Sequence, residues 1–238
     1  MVSSVRSEAM AMKVKIHKIH REGTNILVIL FLMLGVINAS AWMFIRPVVL
    51  PIIFSSLSGV LFLLVLNFFR SPRRYFRGDE TNVVVSSVDG RVVALEEVYE
   101  GECLKRNAIQ LSVFMTIFNV HVNWFPINGK VLSVTHHPGR FLSAYLPKSS
   151  TENERSTIVI KAENGEDIVV RQIAGAVARR IVTYAEPGEE ADISAHLGFI
   201  KFGSRVDIFL PLDSEILVKI GDKTTGGITE VARLKPRG

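Results

Sequence analysis

From Gly23 to Phe69 the chain carries a single charged residue, Arg46. Arg46 divides this stretch into Ile26–Ile45, 20 residues, and Pro47–Phe69, 23 residues. A helix needs about 20 mainly apolar residues to cross the hydrocarbon of a bilayer, so each half is long enough. A secretory signal fits poorly, because the apolar region is too long and starts too far in, and Ala39-Ser40-Ala41 lies inside it. Asn38, Ser40, Pro51 and the Ser55–Ser58 run interrupt both halves. Two arrangements therefore follow. One is a spanning hairpin that turns near Arg46-Pro47; the other is a helix pair buried in a domain core or lying in the interface.

Charge is divided unevenly. The formal net charge is +5, but residues 1–77 hold ten Lys or Arg against Glu8 and Glu22. Residues 78–238 hold eighteen against twenty-one acids. The excess base flanks the apolar stretch: Lys13, Lys15, Lys18 and Arg21 precede it, and Arg70, Arg73, Arg74 and Arg77 follow it. This pattern argues against a nucleic-acid partner and for anionic headgroups, which attract each nearby cation by about 1 kcal/mol. By the positive-inside tendency both flanks prefer the cytoplasm. The expected location is the cell (inner) membrane, with the following domain on its cytoplasmic side.

Cys103 is the only cysteine, which excludes an intrachain disulfide, and no histidine spacing suggests a metal site. Phosphate loops, dinucleotide fingerprints and internal repeats are absent. Past Val83 the chain reads as short β segments: Val83–Val85, Arg91–Leu95, Ile109–Val113, Lys130–Thr135, Thr157–Lys161, Ile168–Gln172, Val206–Leu210 and Glu215–Val218. Asp89-Gly90, Asn128-Gly129, Pro138-Gly139, Asn164-Gly165 and Glu186-Pro187-Gly188 are turn signals between them. Gly175–Tyr184 has helical spacing at Val177, Ile181 and Tyr184. The expected fold is α+β, mainly β, with an N-terminal hydrophobic helical hairpin ahead of a β-rich domain. Its expected parts are a basic leader over 1–23, two apolar segments over 24–69 and the domain over 70–238.

Within Leu197-Gly198-Phe199-Ile200-Lys201-Phe202-Gly203-Ser204-Arg205-Val206-Asp207, the pair Gly203-Ser204 stands just ahead of an alternating strand. A Gly-Ser pair alone is usually a turn. The whole string, however, resembles the processing site of the short, membrane-attached, pyruvoyl-dependent phosphatidylserine decarboxylases. Further blocks are similar to that family in the same order. They are Asn67-Phe68-Phe69-Arg70-Ser71-Pro72-Arg73-Arg74, Val88-Asp89-Gly90-Arg91-Val92 and Phe118-Asn119-Val120-His121-Val122-Asn123 with Pro126 and Gly129-Lys130-Val131. Next come Pro138-Gly139-Arg140-Phe141 with Glu152-Asn153-Glu154-Arg155, then Gln172-Ile173-Ala174-Gly175 with Ala178-Arg179-Arg180-Ile181.

The resemblance implies self-cleavage between Gly203 and Ser204 into chains 1–203 and 204–238. Ser204 then becomes a covalent pyruvoyl group, the cofactor for decarboxylating phosphatidylserine to phosphatidylethanolamine. It also implies that Asp89 and His121 form the acid–base pair activating the serine; no metal is implied, and a homo-oligomer is left open. Read without the family, Asp89 is a turn residue and His121 a satisfied strand histidine. Longer members carry a second histidine where this chain has Trp124, so His121 could serve both self-cleavage and decarboxylation, or His136 or His137 could contribute, while His196, near the cleavage site, reads as a loop histidine. Arg140, Arg155 and Arg205 are candidates for the substrate's phosphate and carboxylate. Two alternatives remain. The same chemistry could act on a related serine phospholipid such as archaetidylserine, or the domain could be a non-catalytic, lipoyl-like membrane adaptor with hairpin turns at Asp89-Gly90 and Asn128-Gly129.

Overall fold

The computed structural model describes residues 19–140, 152–175, 180–201 and 204–237. They form two compact units, one ending at Arg73 and the other beginning at Arg74.

The first unit is a helical pair, α1 (Arg21–Phe44) and α2 (Val49–Phe68). At 1.5 Å per residue they are about 36 and 30 Å long, enough for the hydrocarbon thickness of about 30 Å. Apolar side chains face outward: Ile29, Phe31, Val36, Met43, Leu57 and Leu63 are each more than half exposed. That exposure is the reverse of a helix pair in a protein core. The polar residues that interrupt the apolar run satisfy one another across the pair. Asn38 Nδ2 donates to Ser58 Oγ at 2.9 Å, Ser55 Oγ donates to Asn38 Oδ1 at 2.8 Å, and Trp42 Nε1 donates to Ser55 Oγ at 3.1 Å. At the open end the backbone of His20 donates to Phe69 O at 2.8 Å, and Ile19 bridges Arg70. Gly23 is needed there, since a Cβ would lie 2.3 Å from the Phe69 ring. Entry and exit of the pair are thus held at one end.

The second unit is β-rich. An eight-stranded antiparallel sheet runs in the order β13 (Lys223–Thr224), β2 (Gly90–Glu100), β3 (Arg106–Met115), β11 (Ser204–Leu210), β7 (Asp167–Ala174), β6 (Arg155–Ala162), β5 (Gly129–His137), β9 (Glu190–Ala191). Two three-stranded sheets accompany it. One is β4 (Val122–Trp124), β10 (His196–Ile200) and β8 (Ile181–Thr183), with β10 central. The other is β1 (Val83–Val85), β14 (Glu230–Arg233) and β12 (Glu215–Ile216), with β14 central. The main core includes Leu111, Val113, Met115, Ile158, Ile160, Ile168, Val206 and Ile208. A smaller cluster contains Ala108, Val159, Val169 and Phe209.

Two readings of the sequence need correction. Residues 176–179 of the expected helix lie outside the described residues, but Ile181–Thr183 is strand β8, paired with Ile200, Phe199 and Gly198. Three β-branched residues beside an open edge of β10 outweigh a helical spacing carried by three positions. Asp89-Gly90 and Asn128-Gly129 do not close hairpins, because β1 pairs with β14 and β4 with β10. Each glycine allows a close approach instead: a Cβ would lie 2.3 Å from Phe114 O at Gly90 and 2.1 Å from Lys161 O at Gly129. Asn164-Gly165 does close a hairpin, between β6 and β7, with Gly165 at φ +87.

Candidate active site

Ser204 is the first residue of β11, in the middle of the large sheet. Its ladder partners are Met115 on β3 and Ala174 on β7. The residue is fully buried, and its Oγ has no hydrogen-bond partner among the described residues. A buried hydroxyl without a partner costs roughly 1–3 kcal/mol, so its persistence calls for an explanation. Gly203 lies outside the described residues. The chain leaves β10, in one sheet, at Ile200 and enters β11, in another, at Ser204.

Sheet register brings the other candidates to the same end. On one side of Ser204 come Met115 and Phe114, then Arg91 and Gly90 of β2, which follow Asp89 directly. At about 4.8 Å per strand, the Asp89 backbone lies roughly 10 Å away. On the other side come Ala174, then Glu154, whose carbonyl accepts from Ala174 N at 2.9 Å. Asn153 is fully buried and its Nδ2 donates to Ala174 O at 2.7 Å, so both backbone groups of Ser204's ladder partner are tied to this segment.

His121 reaches this end from the loop that follows β3. Thr116 and Asn119 close a turn, with Asn119 Oδ1 accepting from Thr116 N at 2.9 Å and from its hydroxyl at 2.8 Å. His121 O accepts from Ile200 N at 3.4 Å, four residues before Ser204. The ring is fully buried, and Nδ1 lies 2.9 Å from Asn119 O. A carbonyl can only accept, so Nδ1 carries the proton and Nε2 is the basic nitrogen of the neutral ring. This backbone carbonyl therefore sets the tautomer.

Asp89 has a different set of partners. Arg74 holds both carboxylate oxygens, with Nη2 donating to Oδ2 at 2.9 Å and Nη1 donating to Oδ1; Gly226 N donates to Oδ1 at 2.9 Å. Arg74 Cζ stands 4.6 Å from the centroid of Trp124, whose backbone N donates to Ser87 O at 2.8 Å. The His196 ring meets Trp124 edge-on at 5.5 Å. Trp124 thus occupies the space between the Asp89 turn and β10.

A buried polar chain lies behind His121. Asn123 Nδ2 donates to His121 O at 3.1 Å, Gln172 Nε2 donates to Asn123 Oδ1 at 2.6 Å, and Thr183 Oγ1 donates to Gln172 Oε1 at 2.8 Å. These bonds tie β4, β7 and β8 together. Polar residues inside apolar strand patterns (Asn123 beside Val122, Gln172 beside Ile173) are the only sequence signal for it.

The remaining candidates are less central. His136 and His137 stand on β5, three strands from Ser204 or about 14 Å, near Glu154 at 3.6 Å and Glu102 at 3.9 Å. Arg155 is paired with Glu102, and Arg205 with Asp207 at 2.9 Å. Arg140 is solvated, 3.6 Å from Glu152. Farther along the sheet, Arg171 Nη2 bonds Glu100 at 2.7 Å and Glu102 at 2.9 Å, and its Cζ lies 4.8 Å from the Phe209 centroid.

Comparison with known proteins finds close relatives over most of the chain. A family model described as phosphatidylserine decarboxylase matches residues 61–232. The phosphatidylserine decarboxylase proenzyme of Parabacteroides distasonis is 54% identical over 217 residues, covering 91% of this chain and 99% of that protein. The proenzyme of Phocaeicola vulgatus is 50% identical over 223 residues, 94% of this chain and 98% of its own. That of Cytophaga hutchinsonii is 47% identical over 176 residues, 74% of this chain and 80% of its own.

Proposed function

The chain belongs to the phosphatidylserine decarboxylase family, and from that premise we propose that it cuts itself at Gly203-Ser204 and then decarboxylates phosphatidylserine to phosphatidylethanolamine and CO2. The observation that carries the reading is the Ser204 hydroxyl, buried and without a partner at the first position of β11. A hydroxyl held this way is matched to attack on the carbonyl that precedes it.

Ser204 Oγ adds to the Gly203 carbonyl carbon, and the Gly203–Ser204 C–N bond breaks to leave an ester. His121 Nε2 is the base that takes the hydroxyl proton, because a serine is a weak nucleophile until it is deprotonated. Loss of the Ser204 Cα proton and the Cβ–O bond then releases Gly203 as a carboxylate, and water converts the resulting dehydroalanine to a pyruvoyl group and ammonia. Asp89 is the carboxylate whose charge favours the imidazolium formed on the way. The pyruvoyl group supplies an electrophilic carbonyl, the electron sink that no side chain offers when CO2 leaves. Residue 204 is well placed to carry it, being buried and having its backbone held on both sides by β3 and β7.

Membrane association follows from α1 and α2. We place both flanks on the cytoplasmic side, since residues 19–20 and 69–70 are bonded together at one end of the pair.

The test uses purified full-length protein in vesicles containing phosphatidylserine. Wild type should release CO2 and form phosphatidylethanolamine, and Ser204→Ala should do neither and stay uncut. An uncut but active Ser204→Ala protein would overturn the mechanism. Cleavage without turnover of phosphatidylserine, but with turnover of an ether-linked serine lipid, would change the substrate and keep the chemistry.

A further inference from the structure

Arg74 belongs to the basic run after α2 and by position reads as a headgroup cation. Its side chain is only 12% exposed. The guanidinium is spent on four contacts: both oxygens of Asp89, the Gly226 carbonyl at 2.9 Å, and the face of Trp124 at 4.6 Å. Gly226 completes a ring of bonds by donating its amide to Asp89 Oδ1. The fit is close, since a Cβ at Gly226 would lie 2.7 Å from the Trp124 ring.

A carboxylate accepts about four hydrogen bonds, two at each oxygen. Asp89 Oδ1 receives Arg74 and Gly226 N, and Oδ2 receives Arg74 alone. Among the described residues, one acceptor position, on Oδ2, is left over. The same fork fixes both the plane of the carboxylate and the direction of that last lone pair. Lysine could keep the charge but not the plane, because an ammonium is a point donor rather than a fork.

We propose that Arg74 is a positioning residue for self-cleavage: it sets Asp89 so that its remaining Oδ2 lone pair and its charge serve the proton transfers at Ser204. This rests on the self-cleavage reading above. It also means that the processing site begins at the residue where the β-rich unit begins, not at the Asp-Gly turn.

The experiment follows the cleavage rate of newly synthesised full-length protein in membranes, by intact mass. Wild type, Arg74→Ala, Arg74→Lys, Asp89→Asn and the Arg74→Ala/Asp89→Asn double variant are compared, with thermal unfolding as the folding control. Arg74→Ala should cut roughly 10- to 100-fold more slowly, the scale of a misplaced reacting group. Added guanidinium should speed Arg74→Ala and leave wild type unchanged. The double variant should be no slower than the slower single variant, as expected for two residues acting through one carboxylate. Multiplying effects in the double variant, or an Arg74→Ala rate equal to wild type, would overturn the assignment. If Arg74→Ala does not fold, Arg74→Lys decides: slower cutting at an unchanged melting temperature supports the role, and a wild-type rate sinks it. A wild-type chain that stays whole would remove the self-cleavage reading and this assignment with it. A wild type that cuts beside an equally fast Arg74→Lys removes only the assignment.

Discussion

The helical pair and the β-rich unit obey one rule in opposite directions. In α1 and α2 the apolar side chains point outward and the polar ones, Asn38, Ser55, Ser58 and Trp42, bond one another. In the β-rich unit Leu111, Ile158 and Ile208 are buried together, and charged groups inside the fold, such as Arg171 with Glu100, are allowed only as bonded pairs. The β-rich unit buries most of its apolar side chains against one another, whereas most of those in the first unit stay exposed. The first is therefore suited to apolar surroundings, and we propose that the second carries the chemistry.

The largest effect is expected from removing the first unit. A chain of residues 70–238 should move completely from membrane pellet to supernatant and still cut itself, because Arg74, Asp89, His121 and Ser204 all remain. The full chain should stay in the pellet through high salt and alkaline washes and leave only in detergent. Headgroup attraction is screened over about 8 Å at physiological salt, whereas exposing the helix pair costs roughly 25 cal/mol per Å2 of apolar surface. Release by salt alone would show that the basic flanks do the binding.

Next in size is the buried ion pair. Arg171→Met should lower the stability of the β-rich unit by about 3–5 kcal/mol, read as a lower denaturation midpoint, because it strands the Glu100 charge. Burial pushes the Glu100 carboxyl up, but the Leu104 and Cys103 amides and Arg171 more than offset it and leave it below the ordinary value of 4.5. A carboxyl lowered in the fold gives stability that is fully present above its unfolded value and fades as pH drops toward the folded one. Acid sensitivity should therefore set in only below about pH 4.5, and Glu100→Gln should flatten it. A melting temperature that falls equally between pH 7 and 5 would exclude Glu100 as the cause.

The smallest effect tests the first unit. Asn38→Leu should weaken the α1–α2 pair by only about 0.6 kcal/mol, since side-chain bonds between membrane helices are worth little even in hydrocarbon. Membrane retention should not change. A loss as large as that of Arg171→Met would mean that the helix pair behaves as a soluble core.

The sequence exposes these parts unevenly. Two apolar runs and eight β-branched segments are visible because burial or exposure of each is a local property of a few consecutive residues. Ser204 is visible through a motif of consecutive residues as well. Arg74 is hidden in a run of similar cations; its partners lie 15 residues away at Asp89 and 152 away at Gly226. Strand β8 is hidden because Ile181 also fits a helical spacing with Val177 and Tyr184, and only the edge of β10 decides between the two. Gly90 and Gly129 read as turns, whereas their reason is a carbonyl on a strand distant in sequence. In each case the deciding partner is remote along the chain.

We propose that residue 204 opens a new chain inside an intact sheet. Full-length protein, purified in detergent, should give two masses under denaturing conditions, residues 1–203 and 204–238, and the shorter should lack an N-terminal amine. Under native conditions both should run as one particle, because β11 is held by the ladders of β3 and β7 on either side. A single full-length mass from an active preparation, or a short piece that begins with an ordinary serine amine, would contradict the account.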